Sequence, residues 1–120
     1  MNISSNPFSA DLVHLDGNAV VVLVGELDLA TAPLLTGVLD PLVEDGPPEI
    51  VLDCAALTFL DSSGITVLVR AQNRLSQMQR RLVVRAPRPT VLRGLEITGV
   101  VKLLRVEGGT DQVEDNDLTA

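Results

Sequence analysis

At 120 residues, 46% of them apolar, the chain is long enough for one domain with its own core and too short for two comfortable ones. It has no Trp, no Tyr and only two Phe, so the core is aliphatic, and base-stacking recognition of nucleic acid, which needs aromatic platforms, is disfavoured. A formal net charge of −7 disfavours direct contact with nucleic acid and with anionic membrane surfaces alike.

Residues 8–15 alternate as a strand, with Phe8, Ala10, Leu12 and His14 on one face. Asp16-Gly17-Asn18 forms a turn cluster, and residues 19–24 follow as a more apolar strand, so the two make an antiparallel hairpin. Gly25 is expected to stop that strand, and Glu26-Leu27-Asp28 leads into a helix that starts near Thr31 with Pro33 in its first turn. Leu34, Leu35, Val38, Leu39, Leu42 and Val43 recur at helical spacing and define its buried stripe, which Gly46-Pro47-Pro48 ends. Residues 49–53 are a short aliphatic strand with little alternation, as a central strand should be.

A helix is expected from about Ser62, with Gly64, Val67, Leu68, Ala71, Leu75 and Met78 inward and Thr66, Arg70, Asn73, Arg74 and Gln77 outward. Leu82-Val83-Val84 is a further strand, Pro87 and Pro89 mark a turn, a short helix spans residues 90–97 with Gly99 at its C-terminus, and residues 100–106 close the chain as a last strand. The order β-β-α-β-α-β-α-β predicts an α/β fold: a single domain over residues 1–107 with a mixed sheet opened by an antiparallel hairpin and helices packed on it. Residues 108–120 carry Asp111, Glu114, Asp115 and Asp117 with no base, and read as an acidic, mobile C-terminal tail.

The chemistry-bearing residues are few. The single cysteine, Cys54, cannot make an internal disulfide and follows an apolar run, so it reads as a buried structural thiol. The single histidine, His14, reads as a surface strand residue. There is no glycine-rich phosphate loop, no His/Cys metal-ligand set, and no G-x-S-x-G elbow or base beside a serine; no enzymatic activity, cofactor or metal is expected. No basic-then-apolar leader stands at the N-terminus and no apolar run approaches the ~18 residues of a membrane helix, so the expectation is a cytoplasmic protein without membrane insertion.

The most informative stretch is Leu57-Thr58-Phe59-Leu60-Asp61-Ser62-Ser63-Gly64, where a buried strand hands over to an amphipathic helix. A serine there sits at a helix N-terminus, whose open N–H groups and dipole favour an anion. An ordinary helix cap explains Asp61 or one serine; it does not explain Gly64, which costs ~1 kcal/mol against Ala in a helix. With no base in reach, an exposed hydroxyl able to carry a phosphate suggests a switch rather than a nucleophile.

Residues Phe59-Leu60-Asp61-Ser62-Ser63-Gly64-Ile65 resemble the signature of the STAS domain family, most closely that of bacterial anti-sigma factor antagonists. Gly25-Glu26-Leu27-Asp28 with Thr31-Ala32 is similar to the family's first βα loop, and Pro89, Val91, Leu92, Leu95, Ile97, Thr98 and Gly99 resemble its closing helix and turn; together they span about residues 8–106. The resemblance implies a phosphoacceptor at Ser62 and a partner-binding surface of Glu26, Asp28, Asp61, Ser62, Ser63, Gly64 and Thr66. Its implied partners are an anti-sigma factor serine kinase and a serine phosphatase, with the domain a monomer or weak dimer. Ala55, Ala56 and Thr66 stand where the family often has small or glycine residues, which leaves fine partner specificity open. Alternatives within the resemblance are a scaffold or accessory subunit of a stress-sensing or lipid-transport ATPase complex, and a weak nucleotide-binding domain. The arginines Arg70, Arg74, Arg80, Arg81 and Arg93 read as a solvated face, with Arg70 and Arg74 also placed to join a partner contact.

Overall fold

The computed structural model describes residues 8–108; of the expected acidic tail, residues 108–120, all but Gly108 lies outside them. A five-stranded sheet runs in the order β1-β2-β3-β4-β5, with β1 (Ser9–Leu15), β2 (Asn18–Leu27), β3 (Glu49–Leu60), β4 (Arg81–Arg85) and β5 (Arg105–Glu107). β1 is antiparallel to β2, and the remaining neighbours are parallel. The helices are α1 (Ala32–Glu44), α2 (Ser62–Ser76) and α3 (Pro89–Ile97). The mixed α/β architecture expected from the element order is the one observed.

The hairpin turn follows from its two residues. Asp16 and Gly17 take φ of 53° and 80°, the left-handed pair that a two-residue turn between right-twisted strands requires and that Asp-Gly adopts readily. One face of the sheet, through Val21, Leu23, Ile50, Leu52, Leu82 and Val84, packs against Leu35, Leu39 and Val43 of α1, Leu68, Ala71 and Leu75 of α2, and Val91 and Leu95 of α3. Cys54 belongs to this core, its Sγ 3.6 Å from the Leu52 carbonyl. Burial, with the Asp53 carboxylate beside it, pushes the thiol up to about 12.

Several expectations are corrected. Gly25 does not stop β2: it takes φ 100° inside the strand, where the β2–β3 register shifts, and the strand continues to Leu27. β3 is not short. Beyond Asp53, its last partner on β4, it runs on to Leu60 against β2 alone. Residues 100–106 are not one strand; a 3-10 turn over Val100–Lys102 precedes β5. Leu34 and Met78 are 56% and 45% exposed and leave the two helical stripes. Phe8 and Ala10 pack on the core, whereas Leu12, expected on the same face, is 41% exposed.

Of the five arginines expected on a solvated face, Arg80 is the one that departs from it. Arg80 reaches back across the domain to donate from Nη1 to the Val43 carbonyl (2.6 Å), from Nη2 to Leu42 (2.7 Å) and from Nε to Pro47 (3.1 Å). It thereby satisfies two of the last carbonyls of α1, which have no partner within the helix. Arg74 lies 3.2 Å from Asp40 and 3.9 Å from Glu44, tying α2 to α1, and Arg81 pairs with Glu49 at 2.7 Å. Arg70, Arg74, Arg81 and Arg93 are exposed as expected.

Candidate functional site

Because β2 and β3 are parallel and end level, at Leu27 opposite Leu60, the loops that follow them leave the sheet side by side. The Asp61 N–H donates to the Leu27 carbonyl at 3.2 Å and fastens one loop to the other. Three residues on, Gly64 packs directly on this junction. A Cβ built there would lie 2.5 Å from Leu60 Cδ1 and 2.7 Å from Leu27 Cγ, both closer than real contacts allow. This is the reason for a glycine in the first turn of α2: the helix seats flat on the ends of β2 and β3.

Asp61 is the N-cap of α2. Its Oδ1 accepts from the Ser63 N–H (2.9 Å) and the Gly64 N–H (3.2 Å), and its carbonyl accepts from Ile65 at 3.0 Å. Two of the N–H groups expected to greet an anion are therefore already filled by a carboxylate. An anion on Ser62 would be added beside that carboxylate and not into an empty nest. Ser62 itself is exposed, and its carbonyl accepts from Thr66 Oγ1 at 2.9 Å.

Asp28 orders the turn that leads into α1, whose N-cap is Thr31. Its Oδ1 accepts from Ala30 N–H (3.0 Å) and Thr31 N–H (3.1 Å), and its carbonyl accepts from Ala32 N–H at 2.8 Å. Thr31 Oγ1 accepts from the Asp28 N–H at 2.9 Å and donates to the Glu26 carbonyl at 2.8 Å. Asp28 and Thr31 thus form a closed ring that fixes the loop, with Glu26 half-buried at its base and Leu29 76% exposed at its tip. Between the two helices, Leu29, Ala32, Pro33, Ser63, Val67 and Arg70, with Thr66 at the same wall, border an open groove of about 560 Å³.

Of the residues singled out from sequence, Glu26, Asp28, Asp61, Ser62, Ser63, Gly64 and Thr66 all fall on this one corner. Sequence reasoning missed Leu29 and Pro33, whose exposure makes the corner part apolar. The signal was present in retrospect, as a leucine at the tip of a polar turn. The STAS domain model matches residues 9–113, which is most of the chain. The chain belongs to the STAS domain family. It is 33% identical over 87 residues to the anti-sigma-B factor antagonist of Staphylococcus aureus strain NCTC 8325, covering 72% of this chain and 81% of the relative. An anti-sigma factor antagonist from Mycobacterium paratuberculosis superposes with a TM-score of 0.78 at 29% identity, covering 92% and 93% of the two chains. The anti-sigma factor antagonist SpoIIAA in its unphosphorylated form shares the fold at 20% identity, with a TM-score of 0.72 over 93% and 98%. Within the STAS family the chain is of the anti-sigma factor antagonist type. Among the described residues no helix is long and apolar enough to cross a membrane.

Proposed function

We propose that this STAS domain is a phosphorylation-controlled antagonist: unphosphorylated, it binds an anti-sigma serine kinase and frees its sigma factor, and phosphate on Ser62 ends that binding. The observation that carries the reading is an exposed hydroxyl on a rigid corner whose neighbouring carboxylates, Asp61 and Asp28, are both engaged in holding backbone. The corner can present Ser62 to a kinase without rearranging. Phosphate adds about −1.5 to −2 charges and three strong acceptors. With the Ser63 and Gly64 N–H groups already bonded to Asp61, the new charge has little to pair with inside the domain and projects outward. A partner surface that fitted a neutral hydroxyl would then have to bury an unpaired dianion, which costs several kcal/mol, or orders of magnitude in affinity. Glu26, Asp28, Asp61, Ser63, Gly64 and Thr66 form the surrounding contact, with the groove between α1 and α2 receiving apolar side chains of the partner. A metal-dependent serine phosphatase resets the switch.

The test is to incubate the protein with ATP and each anti-sigma kinase of its genome, and to locate phosphate by mass spectrometry. Ser62→Ala is expected to fold, resist phosphorylation and keep its kinase affinity. Ser63→Ala is expected still to accept phosphate. Ser62→Asp is expected to fold and bind more weakly, with a partial defect because Asp carries about one charge and no tetrahedral bulk. Phosphate found on Ser63 alone, or a Ser62-phosphorylated protein that binds as tightly as the unmodified one, refutes the switch.

A further inference from the structure

We infer that β1 is a self-association edge, along which a second copy of this chain adds antiparallel and extends the sheet through a twofold axis. β1 and β5 are the two edges of the sheet, and they are not alike. β5 is three residues long, a length that blunts an edge by itself. β1 is seven residues long and pairs with β2 in unbroken register from Ser9↔Val24 to Leu15↔Asn18. Among the described residues nothing pairs with its outer side, so a row of backbone donors and acceptors faces out.

Soluble proteins protect such edges with lysine, proline, a bulge or a covering loop. Ser9-Ala10-Asp11-Leu12-Val13-His14-Leu15 has no lysine, no proline and no bulge, and Asp11 is its one full charge. It carries instead three of the domain's exposed large apolar side chains: Leu12 (41%) and Val13 (41%), on opposite faces of the strand, and Leu15 (53%). Half-exposed apolar side chains on both faces of one strand fit a neighbour in the plane of the sheet, not a helix laid on one side.

The symmetry selects a register. Antiparallel pairing of a strand with its own copy needs a twofold axis normal to the sheet, which leaves each side chain on its original face, so opposed residues differ by an even number. Overlap over the whole of Ser9–Leu15 then centres on Leu12. Leu12 meets its own copy on the core side, Ala10 faces His14, and Ser9 faces Leu15. Asp11 faces Val13 and not another Asp11, so no like charges are opposed. Two five-stranded sheets become one. Because the second copy runs the other way, the two Ser62-bearing corners point to opposite ends of the assembly. One strand pair is a small interface, so the association is weak and concentration-dependent.

Sedimentation velocity from about 1 μM to about 1 mM reads the affinities such an interface spans. The wild-type chain is expected to double its mass across that range, and Val13→Lys, an edge lysine on the open face, to remain monomeric with an unchanged melting temperature. Mild oxidation of Leu12→Cys tests the register. Opposed Cα atoms lie about 4.5–5.5 Å apart, within disulfide reach, so this variant is expected to cross-link to itself. Leu15→Cys is not, since its two copies would stand roughly 20 Å apart. The native Cys54 is buried and does not compete. A wild-type chain monomeric at every concentration, a dimer indifferent to Val13→Lys, or cross-linking of Leu15→Cys as fast as that of Leu12→Cys overturns the inference. These readouts need no kinase, so they fail or succeed apart from the switch.

Discussion

Replacing each helical glycine by alanine makes the same chemical change in three different spaces. Gly37 in α1 and Gly94 in α3 have no atom within 4 Å of the new methyl group, so only backbone effects act there. Alanine is better than glycine in a helix by about 0.5–1 kcal/mol, and Gly37→Ala and Gly94→Ala are expected to stabilise by up to that amount. At Gly64 the methyl would lie 2.5 Å from Leu60 Cδ1 and 2.7 and 2.9 Å from Leu27 Cγ and Cδ2. Leu60 is half-buried and can turn its terminal methyl aside, but Leu27 is fully buried and its Cγ cannot move without shifting β2. Overpacking of this kind costs about 1–3 kcal/mol. Set against the helix gain, the net is about 1–2 kcal/mol of destabilisation, or roughly 4–15 °C in Tm for a domain of this size. Thermal unfolding followed by circular dichroism reads all three variants. A Gly64→Ala protein that melts at or above wild type, as the other two should, would show that α2 is not seated on Leu27 and would remove the reason for the glycine in the signature.

Arg80→Ala removes bonds to two carbonyls of the α1 terminus and one of the loop after it, and is expected to cost about 2 kcal/mol or more; Arg80→Lys should recover only part, since an ammonium cannot span the fork. Urea unfolding of the two variants measures the difference, and an alanine variant as stable as wild type rejects the clamp. Cys54, raised in the folded state to about 12 from an ordinary value of 9.0, stays protonated in the fold while the unfolded chain ionises. Its contribution is therefore whole below about pH 9 and is lost as pH rises toward 12, so Cys54→Ala should flatten the alkaline fall in stability, and native labelling of the thiol at pH 8 should be slow.

The elements that could be read from the sequence are those whose signals are local. The Asp16-Gly17 turn and the three helices each carry their own punctuation. The corner was legible because Asp61, Ser62 and Gly64 are adjacent, and Asp28 was tied to them by the parallel sheet that the element order implies. What escaped depends on partners far along the chain. Cys54-Ala55-Ala56-Leu57-Thr58-Phe59-Leu60 does not alternate, so the expected strand ended at Asp53, but the segment is held as strand by pairing with β2 across two register shifts. Leu34 fits the helical spacing of its neighbours; only the docking of Ala32 and Leu35 against the core turns it to solvent. Arg80 gave no sign of being other than a surface cation.

That arginine has a consequence for how the domain is made. The carbonyls it binds, on Leu42 and Val43, precede it by 38 and 37 residues, and between them lie the whole of β3 and α2. The last turn of α1 therefore cannot be completed while the helix is an isolated segment, nor as part of a β2–α1–β3 unit. It waits for the chain to reach the start of β4. Long loops must close before such a contact yields anything, so it belongs to the late, slow part of folding. Substitutions at Arg80 should accordingly speed unfolding and leave the folding rate nearly untouched. In the native protein, the end of α1 and the entrance to β4 should open together, as one unit of hydrogen exchange, although they are far apart in the chain.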